Sequence, residues 1–119
     1  MLIDFSLARA LHIFWKGRVR DFLDGKGRLT VDQATSHREC DLGKWMISTG
    51  MPRYGHMPEM QDLDRVHEEL HATVRRIVEL RFAGDLAGAE REYQTLDRLS
   101  SIIVNLLTRL DTKVKTHAA

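Results

Sequence analysis

The sequence predicts an all-α fold: an antiparallel up-and-down helical bundle of three long helices plus a short cysteine-bearing one. Three observations predict it. Apolar residues recur at steps of three and four over most of the 119-residue chain. The two prolines, Pro52 and Pro58, and most of the glycines fall between these stretches rather than inside them. Strand signals are confined to the short run "RLTVD".

The first helix places Phe5, Ala8, His12, Trp15, Val19 and Phe22 on one stripe and is expected to end near Asp24, ahead of "GKGR". Residues 26–33 read as loop or a short extra turn. The second helix is expected to begin at Thr35 or Ser36, either of which suits a cap, and to carry Cys40, Leu42, Trp45 and Met46. Gly50 followed by Pro52 is expected to stop it, leaving "TGMPRYGHMPEM" as a turn-rich connection. The third helix runs from about Glu59 to Ala83, with Leu63, Val66, Leu70, Val74, Ile77 and Val78 inward. "AGD" at 83–85 reads as a helix stop followed by the cap of a fourth helix. That helix carries Leu86, Ala89, Tyr93, Leu96, Leu99, Ile103, Leu106, Leu107 and Leu110 inward. Short connections make the packing up-and-down.

The totals exclude several classes. A chain of this length suits one domain, 1–119, with a core that needs no staples. The net charge of +1 gives no reason to expect nucleic acid. No apolar run approaches the roughly 20 residues that span a bilayer, so no membrane insertion is expected. The N-terminus lacks a basic region and a small-residue cleavage site, so it does not read as a signal peptide. One cysteine cannot form an internal disulfide, and a lone thiol suits a reducing cytoplasm.

That cysteine raises the chemical question: filler, reactive thiol, or metal ligand. His67 and His71 are four residues apart, about 40° around one helix face, where two imidazoles can share a metal. With six histidines in the chain, such a pair arises by chance often enough to decide nothing alone. By letter "HEELH" is also H-E-x-x-H, so a zinc hydrolase with Glu68 as general base has to be weighed. His12 adds weight because it lies on the inward stripe of the first helix. His12, Cys40, His67 and His71 together would make a closed CysHis₃ set of the N/S donors that zinc favours, drawn from three helices. A closed set leaves no position for a catalytic water and argues against an enzyme.

"CDLGKWM", from Cys40 to Met46, resembles the Cys-x-[Leu/Phe]-Gly-x-Trp signature of the bacterial chemoreceptor zinc-binding (CZB) domain. That family has a histidine before the signature and an H-x-x-x-H pair on the helix after it, and His12, His67 and His71 occur in that order. The resemblance implies a zinc ion at His12, Cys40, His67 and His71, in the core of the bundle. It also implies a cytoplasmic sensory role in which zinc occupancy or the state of the cysteine alters helix packing. Attached receptor or diguanylate-cyclase modules would read the change, and no such module lies in this sequence. The expected partners are therefore zinc and either a second copy of the chain or a bacterial signalling protein of the chemotaxis or cyclic-di-GMP type. A structural, zinc-stabilised scaffold is the alternative.

The remaining residues carry plainer expectations. Leu42 faces the core, and Gly43 permits close approach. Trp45 packs rather than reacts. His37 is an outside candidate for the metal, three residues before Cys40. His56 and His117 are solvated. Met46, Met51, Met57 and Met60 fill gaps. Asp41 and Asp64 are candidate acceptors for the ligand histidines.

Overall fold

The computed structural model describes residues 5–26 and 41–117, with the side chains of Asp41, Thr116 and His117 left aside. Three long helices dominate: α1 (Phe5–Leu23), α4 (Pro58–Phe82) and α5 (Leu86–His117). Between α1 and α4 lie a short α2 (Asp41–Trp45), a π-helical turn (Met46–Gly50) and α3 (Met51–Tyr54), which run on from one another. Every element among the described residues is helical. The 32-residue α5 is about 48 Å long and sets the long axis.

Contacts between helices fix their directions. Along α1, Arg9 reaches Asp111, Lys16 pairs with Asp97, and Arg20 reaches Glu90, so α1 and α5 are antiparallel. Glu59 at the start of α4 pairs with Lys113 near the end of α5, and Arg76 pairs with Glu92, so α4 and α5 are antiparallel too. The inward stripes read from the sequence form most of the observed core, but Phe22, Tyr93 and Leu99 are only half-buried against it, and Leu23 rather than Phe22 is the buried residue at the end of α1. Phe5, Ala8, His12, Trp15 and Val19 are buried on α1, and Leu63, Val66, Leu70, Val74, Ile77 and Val78 on α4. Ala89, Leu96, Ile103, Leu106, Leu107 and Leu110 are buried on α5, whereas Leu86 is exposed. Leu42 and Met46 complete the core from the short helical stretch, and Met60 fills it from α4.

The ends of the long helices follow from local chemistry. α1 and α4 finish in the same way, on a glycine with positive φ: Gly25 at 76° and Gly84 at 83°. Around Gly84, its N–H donates to the Arg81 carbonyl, and the Asp85 N–H donates to the Leu80 carbonyl. Gly25 with Phe22, and Lys26 with Asp21, repeat the pattern, which satisfies the last carbonyls of each helix. The Asp85 carboxylate then accepts the Gly88 N–H at 2.9 Å and caps α5. Pro58 opens α4 at a position where its missing N–H costs nothing, after an extended Met57.

One expectation is corrected. Gly50 and Pro52 do not stop the second helix, and residues 49–54 are helical rather than a turn-rich connection. The turn widens instead: the Met51 N–H donates to the Met46 carbonyl five residues back. Pro52 then falls in the first turn of α3, where it has no intrahelical bond to break. Gly50 is helical, with φ −62°, and buried. An added Cβ there would stand 3.0 Å from the Trp45 ring and 3.4 Å from Met60, so this glycine permits close packing. The expected start of the second helix at 35 or 36 lies outside the described residues.

Candidate metal centre

Three of the four expected ligands are described, and all three are buried. His12 is 2% exposed, and His67 and His71 are 1% each. α1 supplies the first from its inward stripe. α4 supplies the other two, one turn apart, with ring centroids 4.8 Å apart and planes perpendicular. Trp15, one turn on from His12, joins the two helices. Its ring lies 4.6 Å from that of His71 and 6.2 Å from that of His12. Cys40 and His37 lie outside the described residues. His56 is exposed.

Burial matters chemically because an unprotonated imidazole is the form that binds a metal. Desolvation pushes the His12 pKa down to about 4, with the nearby Lys16 and His71 adding to the effect. His12 is therefore neutral near pH 7. Its Nε2 lies 2.7 Å from the Ser100 hydroxyl of α5, also buried. With Nε2–H donating to Ser100, Nδ1 keeps its lone pair, and a fixed tautomer of this kind is what a metal-ligating histidine needs. Among the described residues no group of three or more His, Cys, Asp or Glu side chains stands close enough together to hold a metal. The donor chemistry of the buried histidines suits zinc. The described part alone does not make a complete cage.

Sequence reasoning missed Ser100. It sits four residues after Leu96 and three before Ile103, on the inward stripe of α5. A hydroxyl interrupting an apolar stripe, with an inward histidine on another helix, was the available signal. Of the two aspartates considered as second partners, the side chain of Asp41 is not described. Asp64 lines a cleft of about 440 Å³ together with His67 and Glu68 from α4. The opposite wall of that cleft is formed by Gly43, Met46, Ile47 and Met51. The methionines behave as expected: Met46 and Met60 are buried, and Met51 and Met57 pack against the core. Trp45 is a packing residue, its ring edge-on to Phe5 at 5.6 Å.

The family model for the chemoreceptor zinc-binding domain matches residues 12–78, which is more than half of the chain. The chain belongs to the CZB family. The match begins at His12 and takes in the signature from Cys40 to Met46, His67 and His71. CZB domains are zinc-binding, chemoreceptor-associated signalling domains, and typically sensory rather than catalytic. No curated protein and no solved structure matches the chain. Among the described residues, no helix of this CZB domain is long and apolar enough to cross a membrane.

Proposed function

We propose that this chain, as a single domain over 1–119, is a cytoplasmic zinc sensor in which His12, Cys40, His67 and His71 hold the ion. It reports zinc level or cysteine oxidation to a chemotaxis or cyclic-di-GMP-type partner, or through a second copy of itself. The observation that carries this reading is the burial of His12, His67 and His71 on the inward faces of α1 and α4, within a segment that matches a zinc-binding family. α2 begins one residue after Cys40, and its Gly43 lines the same cleft as His67.

When bound, zinc would supply a crosslink between chain segments. Cys40 has to be a thiolate and the histidines neutral for that, so occupancy follows zinc concentration and pH. The thiolate is also the oxidisable group. Hypochlorous acid transfers its oxygen to the Cys40 sulfur, giving sulfenic acid and releasing chloride, and the product is a poorer ligand. Losing the Cys40 tie uncouples Cys40 from the α4 histidines, a local change that a partner can read.

The core favours a sensor over a scaffold. Leu63, Leu70, Ile77, Leu96, Ile103, Leu107 and Leu110 are fully buried and pack α4 against α5 without calling on a metal. The bundle is therefore expected to stay folded when zinc leaves. Glu68 stands beside His67 in the cleft, as a hydrolase would require. Four protein ligands, however, leave no open position for a water that Glu68 could activate.

Elemental analysis with graded chelation is the test. About one zinc per chain is expected, falling below about 0.3 in Cys40→Ala and His67→Ala. Circular dichroism should stay helical after chelation. Zinc below about 0.3 in the unaltered protein would sink the reading. Release only on unfolding would select the scaffold.

A further inference from the structure

His67 is 1% exposed, yet it lines a cleft of about 440 Å³ between α4 and the stretch made by α2, the π turn and α3. The two charged groups lining that cleft among the described residues are both carboxylates, Asp64 and Glu68. They lie three residues before and one after His67 on α4. Neither makes an ion pair among the described residues, although their neighbours do. Arg65 on the same helix pairs with Asp62 at 3.2 Å and lies 3.7 Å from Glu69. The basic group nearest in sequence is thus turned to the other carboxylates of α4. The opposite wall is neutral: Gly43, Met46, Ile47 and Met51.

We propose that this cleft is the entry route by which a divalent cation reaches His67, with Asp64 and Glu68 steering it. The proposal rests on the zinc-sensor reading above. A buried ligand set exchanges metal only as fast as the hydrated ion finds the way in, and a sensor needs that exchange. A pair of carboxylates with no ion pair among the described residues, set beside apolar side chains, raises the local concentration of a dication. For two carboxylates within about 7 Å of the path, screened at physiological salt, the gain in association rate is about fivefold, and larger at low salt. Ile47 is 56% exposed at the opposite wall, so a charge placed there faces the path without disturbing the core.

Stopped-flow uptake of zinc by the metal-free full chain, followed with a chromophoric chelator, tests this. Asp64→Asn/Glu68→Gln is expected to slow association about fivefold, and the deficit should shrink to about twofold in 0.5 M salt. Ile47→Arg, which leaves both acids in place, should slow uptake as well. Asp21→Asn/Glu79→Gln removes the same charge from exposed sites elsewhere and should leave the rate within about twofold. Unaltered uptake by the Asp64/Glu68 variant, or equal slowing in the control, overturns the entry route and leaves the zinc sensor standing. Absence of zinc uptake by the unaltered protein overturns both.

Discussion

His12 Nε2 and Ser100 Oγ lie 2.7 Å apart in the core, joined across 88 residues of sequence. The contact ties α1 to α5 at the level where α1 faces the α4 histidines. Both residues are nearly inaccessible to water, so neither can exchange its partner for solvent. Ser100→Ala leaves a buried ring nitrogen with no protein partner, at a cost of about 1–3 kcal/mol. Urea unfolding of the metal-free protein should show that loss. If His12 is a ligand as proposed, zinc affinity should fall about 10- to 100-fold, the usual effect of removing an outer partner of a ligand histidine. Ser101→Ala is the control. That hydroxyl is exposed and bonds to the Asp97 carbonyl of its own helix, so its removal should change stability by less than about 0.5 kcal/mol.

The same histidine gives the metal-free protein an acid limit. Burial, then Lys16 and His71, lower the folded pKa of His12 to about 4 from 6.5. Between those values the unfolded chain takes up a proton that the folded chain refuses. The contribution of His12 is therefore complete above pH 6.5, falls as pH drops, and is gone near pH 4. The total is about 3 kcal/mol. Urea midpoints in excess chelator at pH 7.0, 5.5 and 4.5 should fall steadily. In His12→Leu the fall between pH 7.0 and 4.5 should be shallower by about 2 kcal/mol. Parallel slopes in the two proteins would count against a neutral buried His12.

The α4–α5 hairpin turns on two adjacent residues with separate tasks. Gly84 holds φ at 83°, which a residue with a Cβ adopts at a cost of about 1 kcal/mol. Asp85 caps α5 through the Gly88 N–H, and its loss also costs about 1 kcal/mol. Gly84→Ala and Asp85→Ala should each lower stability by that much in the metal-free protein. Neither should change the amount of zinc bound, because the hairpin lies one end of α4 away from His67 and His71.

How much of this was legible depended on how local each signal is. The stripe Leu63–Val66–Leu70–Val74–Ile77 needs only the helical period, and every member is buried. The "AGD" stop and cap are short-range chemistry and appear as read. Gly50 and Pro52 are also short-range signals, and they misled. Burial of Gly50 against Trp45 and Met60 outweighs its breaking tendency, and a wide turn absorbs the proline. His12 with Ser100, and Trp15 with His71, join segments that no sequence window contains together. Each partner's inward position was readable, but the pairing was not.

Trp15 offers a direct report on the site. Its ring is 8% exposed and lies 4.6 Å from the His71 imidazole. Its indole N–H is buried and makes no hydrogen bond among the described residues, so packing against its neighbours governs its emission rather than water. The chain has two tryptophans, and Trp45→Phe leaves Trp15 as the sole reporter. Zinc added to the metal-free Trp45→Phe protein should change Trp15 emission in a saturable way, with its break at one zinc per chain. His71→Ala should abolish the response by removing both a proposed ligand and the contacting ring. His56→Ala, at an exposed histidine away from the core, should leave it intact. A response that survives His71→Ala would mean that zinc acts on Trp15 from elsewhere and would remove His71 from the ligand set.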